Sequence, residues 1–118
     1  MKTFNKHFQK QGLLAISFVC LFFVFNSSCS SSSEPPANEV FIQEMVFSPA
    51  TLNVSVGTTV KWTNKDGVAH TVTSNTAGLF DSGSISANGV FSYMFMTAGT
   101  YSYICSIHPS MIGKIVVK

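Results

Sequence analysis

Little in this chain is charged. Asp, Glu, Lys and Arg make up 10% of its 118 residues, and three of the seven basic residues, Lys2, Lys6 and Lys10, stand in the first ten positions. Beyond Cys29, four lysines face five carboxylates, so that portion is close to neutral although the whole chain carries a formal +2. No basic face able to neutralise a row of phosphates can be built from it, which excludes nucleic acid as a partner. Cysteine is also scarce. Cys20 lies in an apolar leader, Cys29 precedes a serine run, and Cys105 is the one thiol beyond them. A single thiol closes no internal disulfide, so Cys105 is free, intermolecular or bound to something. Helical periodicity and internal repeats are missing after Glu39. The longest apolar run, Gly12 to Phe25, falls short of the ~20 residues that a membrane span needs.

What the N-terminus does have is a basic start, that short apolar run and the stretch Asn26-Ser-Ser-Cys29. A basic n-region before a short h-region predicts a secretory signal over 1–28. The small residues before Cys29 resemble a bacterial lipoprotein cleavage site, at which Cys29 becomes the lipidated first residue. An ordinary signal peptide cut near the same serines would leave Cys29 without that role. Residues 29–38, with Ser30 to Ser33, Glu34, Pro35 and Pro36, read as a flexible-to-extended tether. From Cys29 to Glu39 it would reach at most ~35 Å. The expected setting is an exported bacterial cell envelope, periplasmic or outer-membrane, with the lipid as the only membrane attachment.

Residues 39–118 read as one β domain. Val40 to Phe47 is rich in Val, Ile and Phe and stops at Ser48-Pro49. Leu52, Val54 and Val56 alternate with polar residues up to Gly57, and Val60 and Trp62 share a face opposite Lys61 and Thr63. Lys65-Asp66-Gly67 is a turn. Val68 to Ser74 reads as a strand with Val68, His70 and Val72 on one face, and Asn75 to Asn88 as loops with at most one short strand. Phe91, Tyr93 and Phe95 alternate with Ser92, Met94 and Met96. Tyr101, Tyr103 and Cys105 face one way, and Gly113 to Lys118 closes the chain. Seven or eight short strands at this spacing predict a Greek-key β-sandwich or small barrel.

Singly, the chemically able residues mean little. A lone Cys on a strand is usually a small buried hydrophobe, and His70, His108 and Met111 each have ordinary core or loop readings. Together they differ. Cys105, His108 and Met111 fall within seven residues, and a Cys-x2-His-x2-Met loop is too short to carry its side chains apart. His70 is the one other histidine beyond the first ten residues. One thiol, two imidazoles and a thioether are the ligand types of a blue-copper site. Zinc usually takes four Cys, His or carboxylate ligands.

Several further stretches carry a family resemblance. Phe47-Ser-Pro-Ala-Thr-Leu, Val56-Gly-Thr-Thr-Val-Lys-Trp-Thr-Asn64, His70-Thr-Val, Phe91-Ser-Tyr, Ala98-Gly-Thr-Tyr-Ser-Tyr and Cys105-Ser-Ile-His-Pro-Ser-Met-Ile-Gly113 resemble the plastocyanin-type cupredoxins over about Val46 to Lys118. The two-residue gap between His108 and Met111 is similar to the amicyanin-like branch. The resemblance implies one type 1 copper, with His70, Cys105 and His108 as equatorial ligands, Met111 as the axial ligand, and Asn64 pinning the ligand loop by hydrogen bonds. Ala69 departs from the Pro that often precedes the first histidine in amicyanins.

The function expected is one-electron transfer rather than catalysis, with electrons passing at the edge of His108 inside a collar of Val68, Ala69, Ile107 and Pro109. Partners would be redox proteins met briefly by a monomer. The same ligands would serve copper storage or delivery to another exported protein. A Cys-His hydrolase is the third class, and it wants an orienting carboxylate or helix terminus, neither of which is evident in the sequence.

Overall fold

A computed structural model of the chain describes residues 35–118. The signal read over 1–28, Cys29 and the serine part of the tether lie outside the described residues. Eight strands form two four-stranded sheets, and no helix occurs among the described residues.

The first sheet contains β1 (Glu39–Gln43), β2 (Val46–Ser48), β4 (Thr58–Asn64) and β6 (Val90–Phe95), in the order β2-β1-β4-β6. The second contains β3 (Thr51–Val54), β5 (Thr73–Ser74), β7 (Gly99–Ile104) and β8 (Ile112–Val117), in the order β3-β8-β7-β5. Strands β1 and β4 run parallel, as do β3 and β8; every other pair is antiparallel. This is the all-β sandwich that the strand spacing predicts.

Alternation along each strand turns one side chain in two toward the space between the sheets. Val40, Ile42, Val60, Trp62, Phe95, Tyr103, Ile115 and Val117 fill it. Trp62 is its centre, with the Tyr103 ring edge-on at 5.5 Å and Phe91 and Phe80 at 5.6 and 6.2 Å. Each such pair adds about 0.5–1.5 kcal/mol beyond area burial. Phe80 comes from the irregular stretch after β5, and its contacts with Tyr93 and Phe95 anchor that stretch to the core.

Four local readings change. The Val40–Phe47 run is a hairpin, not one strand, because Glu44 and Met45 both take positive φ, 54° and 61°. Such two-residue turns usually fall to Gly or Asn. Here the Asp66 carboxylate holds the turn by accepting both amides, from Glu44 at 2.7 Å and Met45 at 3.1 Å. Strand β3 ends at Val54, which leaves Val56 exposed. Thr63 is buried on the supposedly outer side because its hydroxyl donates to the Glu39 carboxylate, which also pairs with Lys61 Nζ at 3.1 Å.

The largest change concerns Val68 to Ser74. Only Thr73–Ser74 is strand, and His70 joins Ile85 through an isolated bridge. Two consecutive amides of this segment have side-chain acceptors where a ladder would need carbonyls: Thr71 N–H donates to Cys105 Sγ at 3.3 Å and Val72 N–H to Ser82 Oγ at 2.7 Å. His70 and Val72 still point inward, whereas Val68 is half exposed.

Candidate metal centre

The second sheet delivers Cys105 at the end of β7, and the chain then doubles back. Met111 N–H donates to the His108 carbonyl at 2.9 Å, and Cys105 N–H to the Met111 carbonyl at 3.0 Å. These two bonds close the Cys-x2-His-x2-Met segment on itself before β8 begins. Cys105 and Met111 end up buried and His108 half-buried.

From the other side comes His70, fully buried, its amide and carbonyl both paired with Ile85 at 3.1 and 2.8 Å. Its Nδ1 lies 3.8 Å from Cys105 Sγ, and His108 Nδ1 lies 3.7 Å from the same sulfur. The three donor atoms all fall within 4.8 Å of one another. Metal–nitrogen and metal–sulfur bonds of about 2.0 and 2.3 Å set ~120° apart put S and N about 3.7 Å apart. The two observed S–N spacings match that arrangement around one ion.

Burial works against ionising the Cys105 thiol. The Thr71 N–H and the two imidazoles more than offset it and bring its pKa from 9.0 down to about 6. At neutral pH the sulfur is therefore mostly thiolate, the form that binds metal.

Asn64, at the end of β4, is fully buried. Its Nδ2 donates to the carbonyls of Val68 at 2.8 Å and Ile85 at 2.9 Å, and its Oδ1 accepts the Asp66 amide at 2.9 Å. Ile85 is the residue bridged to His70, so Asn64 grips both sides of the histidine's loop. Two residues that the sequence reading passed over act beside it. Thr71 Oγ1 accepts the Ser106 amide at 2.7 Å, tying the His70 segment to the Cys105 segment. Asp66, read only as a turn residue, places Oδ2 at 2.8 Å from His70 Nε2. No signal in the sequence marks Thr71. For Asp66 the available signal is a carboxylate four residues before a candidate ligand, which is too common to single out.

Asp66 also supplies the orienting carboxylate that a Cys-His hydrolase needs and that the sequence does not mark. The line Asp66–His70–Cys105 has that order of groups, but both His70 and the thiol are fully buried and a second imidazole faces the same sulfur.

The cupredoxin-like domain family matches residues 13–117. The chain belongs to the cupredoxin family. It is 35% identical to amicyanin-alpha of Methylorubrum extorquens over 97 residues, 72% of this chain and 76% of that protein. To the amicyanin of Paracoccus denitrificans it is 36% identical over 84 residues, 67% of this chain and 63% of that one, just under two thirds of that relative's length. Among solved structures, a purple cupredoxin from Nitrosopumilus maritimus superposes with a TM-score of 0.64 at 32% identity, covering 68% of this chain and all but 2% of that one. A Cu(I) form of a methionine-to-alanine variant of amicyanin gives the same TM-score at 34% identity, covering 68% and 80%.

The cupredoxin cofactor, one type 1 copper, fits the residues present. The thiolate and two imidazoles are spaced for it, the loop adds a buried thioether, and soft sulfur ligands of this kind favour copper over the harder divalent ions.

Proposed function

We propose that this cupredoxin is a one-electron carrier of the bacterial cell envelope, with His70, Cys105 and His108 as equatorial copper ligands and Met111 as the axial one. The observation that carries the reading is the approach of both Nδ1 atoms to one buried thiolate sulfur, at 3.8 and 3.7 Å. The amicyanin relatives support it independently.

Copper bound there would supply the Cu(II)/Cu(I) couple. The protein's part is to hold the donors still, so that little rearranges when the charge changes. Cys105 is fixed by its amide bond to Met111 and by Thr71 N–H on its sulfur. His70 is fixed by Asn64 and the Ile85 bridge. His108 is only half-buried and so presents an edge toward the surface. Around it Val68 and Ile107 are each about half exposed and Pro109 is exposed, a small apolar collar suited to brief encounters with interfaces below about 1,200 Å². No reaction is catalysed. Export and attachment through a lipidated Cys29 complete the reading, supported by the basic-apolar-Cys leader.

The test is to add Cu(II) to the purified protein and record visible and EPR spectra. An intense blue Cys-to-copper band with narrow hyperfine splitting is expected, and it should vanish in Cys105→Ser. A folded protein that binds copper without that band would sink the type 1 assignment. At the collar, Pro109→Asp is expected to slow electron exchange with a redox protein at least severalfold while leaving the spectrum alone. Stopped-flow traces identical to wild type would count against that docking surface.

A further inference from the structure

His70 is fully buried, so the proton on its outer nitrogen needs an acceptor within the protein, and the acceptor is charged. Asp66 Oδ2 lies 2.8 Å from His70 Nε2. An ionised carboxylate only accepts. The proton of the neutral imidazole therefore sits on Nε2, and the Nδ1 lone pair is left facing Cys105 Sγ. The carboxylate is itself immobilised: Glu44 N–H and Met45 N–H bind its two oxygens, and its own amide is held by Asn64 Oδ1.

We propose that Asp66 is a positioning residue for the copper centre, locking the His70 ring with Nδ1 toward Cys105 and biasing the bound metal toward Cu(II). This rests on the reading of His70 as a ligand. Carboxylates on the outer nitrogen of a ligating histidine fix its tautomer and raise its basicity, and losing one typically costs 10–100-fold in affinity or activity. Here the effect is directional. A nearby negative charge favours the more positive oxidation state, so Asp66 lowers the reduction potential. The β1–β2 hairpin belongs to the device, since its two positive-φ residues hold the carboxylate in place. That accounts for a tight turn that contains neither Gly nor Asn.

Two measurements on the purified full chain test this. In the copper-loaded protein, Asp66→Asn keeps the side chain's shape and removes its charge. The expected result is a shift of at least tenfold in the Cu(II)/Cu(I) preference, about 59 mV upward for a one-electron couple, with the blue band retained. A loss of fold stability alone would not move the potential, and an unchanged potential overturns the proposal. In the metal-free protein, ¹H–¹⁵N NMR of the imidazole groups should reveal a slowly exchanging His70 Nε2–H that is lost in Asp66→Ala. A His70 ring protonated on Nδ1 in the wild type, or an Nε2–H unaffected by Asp66→Ala, overturns it without reference to copper. A wild-type protein that stays colourless with Cu(II) would remove the electron-carrier reading instead, while the imidazole signal still decides whether Asp66 holds the ring.

Discussion

Gly113→Ala is expected to lower the stability of the domain by about 2–3 kcal/mol, a fall in melting temperature of roughly 10–20 °C. Gly113 sits on β8 directly across from Tyr103 on β7, and the Tyr103 ring lies over it. A Cβ at position 113 would come under 3.0 Å from Cζ, Oη and Cε2 of that ring. The ring cannot retreat, since it is buried, with Phe47 packed edge-on at 4.8 Å and Trp62 at 5.5 Å. Reduced freedom in the unfolded chain favours Ala over Gly by about 0.4–1 kcal/mol. Overpacking opposes it by about 1–3 kcal/mol or more, and for a rigid aromatic neighbour the upper end applies. Thermal or urea denaturation measures the loss. A double-mutant cycle with Tyr103→Leu assigns it, because the penalty of Gly113→Ala should largely disappear once the ring is gone. An undiminished penalty would place the cause in the backbone instead.

Asn64→Ala is expected to be comparably damaging, by about 3 kcal/mol, and to weaken copper binding by 10–100-fold as well. Its amide nitrogen and oxygen serve three backbone groups, at 2.8, 2.9 and 2.9 Å, and Ala leaves all three without that partner. Each buried group left unsatisfied costs about 1–3 kcal/mol. The Ile85 carbonyl keeps its bond from His70 N–H, which holds the total below the sum. Asn64→Asp is the informative companion: it keeps an acceptor for the Asp66 amide but loses both donors, and it sets a second negative charge near Asp66. Denaturation and a competitive copper titration read the two effects separately. Full stability in Asn64→Ala would mean that the His70 loop is held by the Ile85 bridge alone.

Much of the site could be read from the chain because its chemistry is local. Cys105, His108 and Met111 fall within one loop too short to separate them, and β7 alternation turns Tyr103 and Cys105 inward together. His70 is recoverable from a face shared with Val72. What could not be read depends on contacts between distant segments. Val68 to Ser74 has the alternation of a strand, yet the amides of Thr71 and Val72 at its middle are taken by Cys105 Sγ and Ser82 Oγ, partners 34 and 10 residues away. Periodicity reports which way a side chain points and carries no information on where an amide finds its acceptor. Asp66 was legible as a turn former. Its second task, joining the Glu44–Met45 turn to His70, exists only once β1 and β4 lie side by side. Met94 on β6 and Met96 just past its end, apolar by type, stand exposed, and their alternation with Phe91, Tyr93 and Phe95 already turned them away from the aromatic face.

A carrier holds copper in both oxidation states with one set of residues and little movement, and that separates it from a store or a delivery protein. Copper K-edge X-ray absorption on the same sample, oxidised and then reduced, tests it most directly. Two nitrogen ligands and one short sulfur ligand are expected in both states, with bond lengths that change little between them and metal retained through repeated cycles. Loss of the sulfur or of a nitrogen on reduction, or release of the metal, would contradict a carrier role and leave copper storage or delivery as the better description.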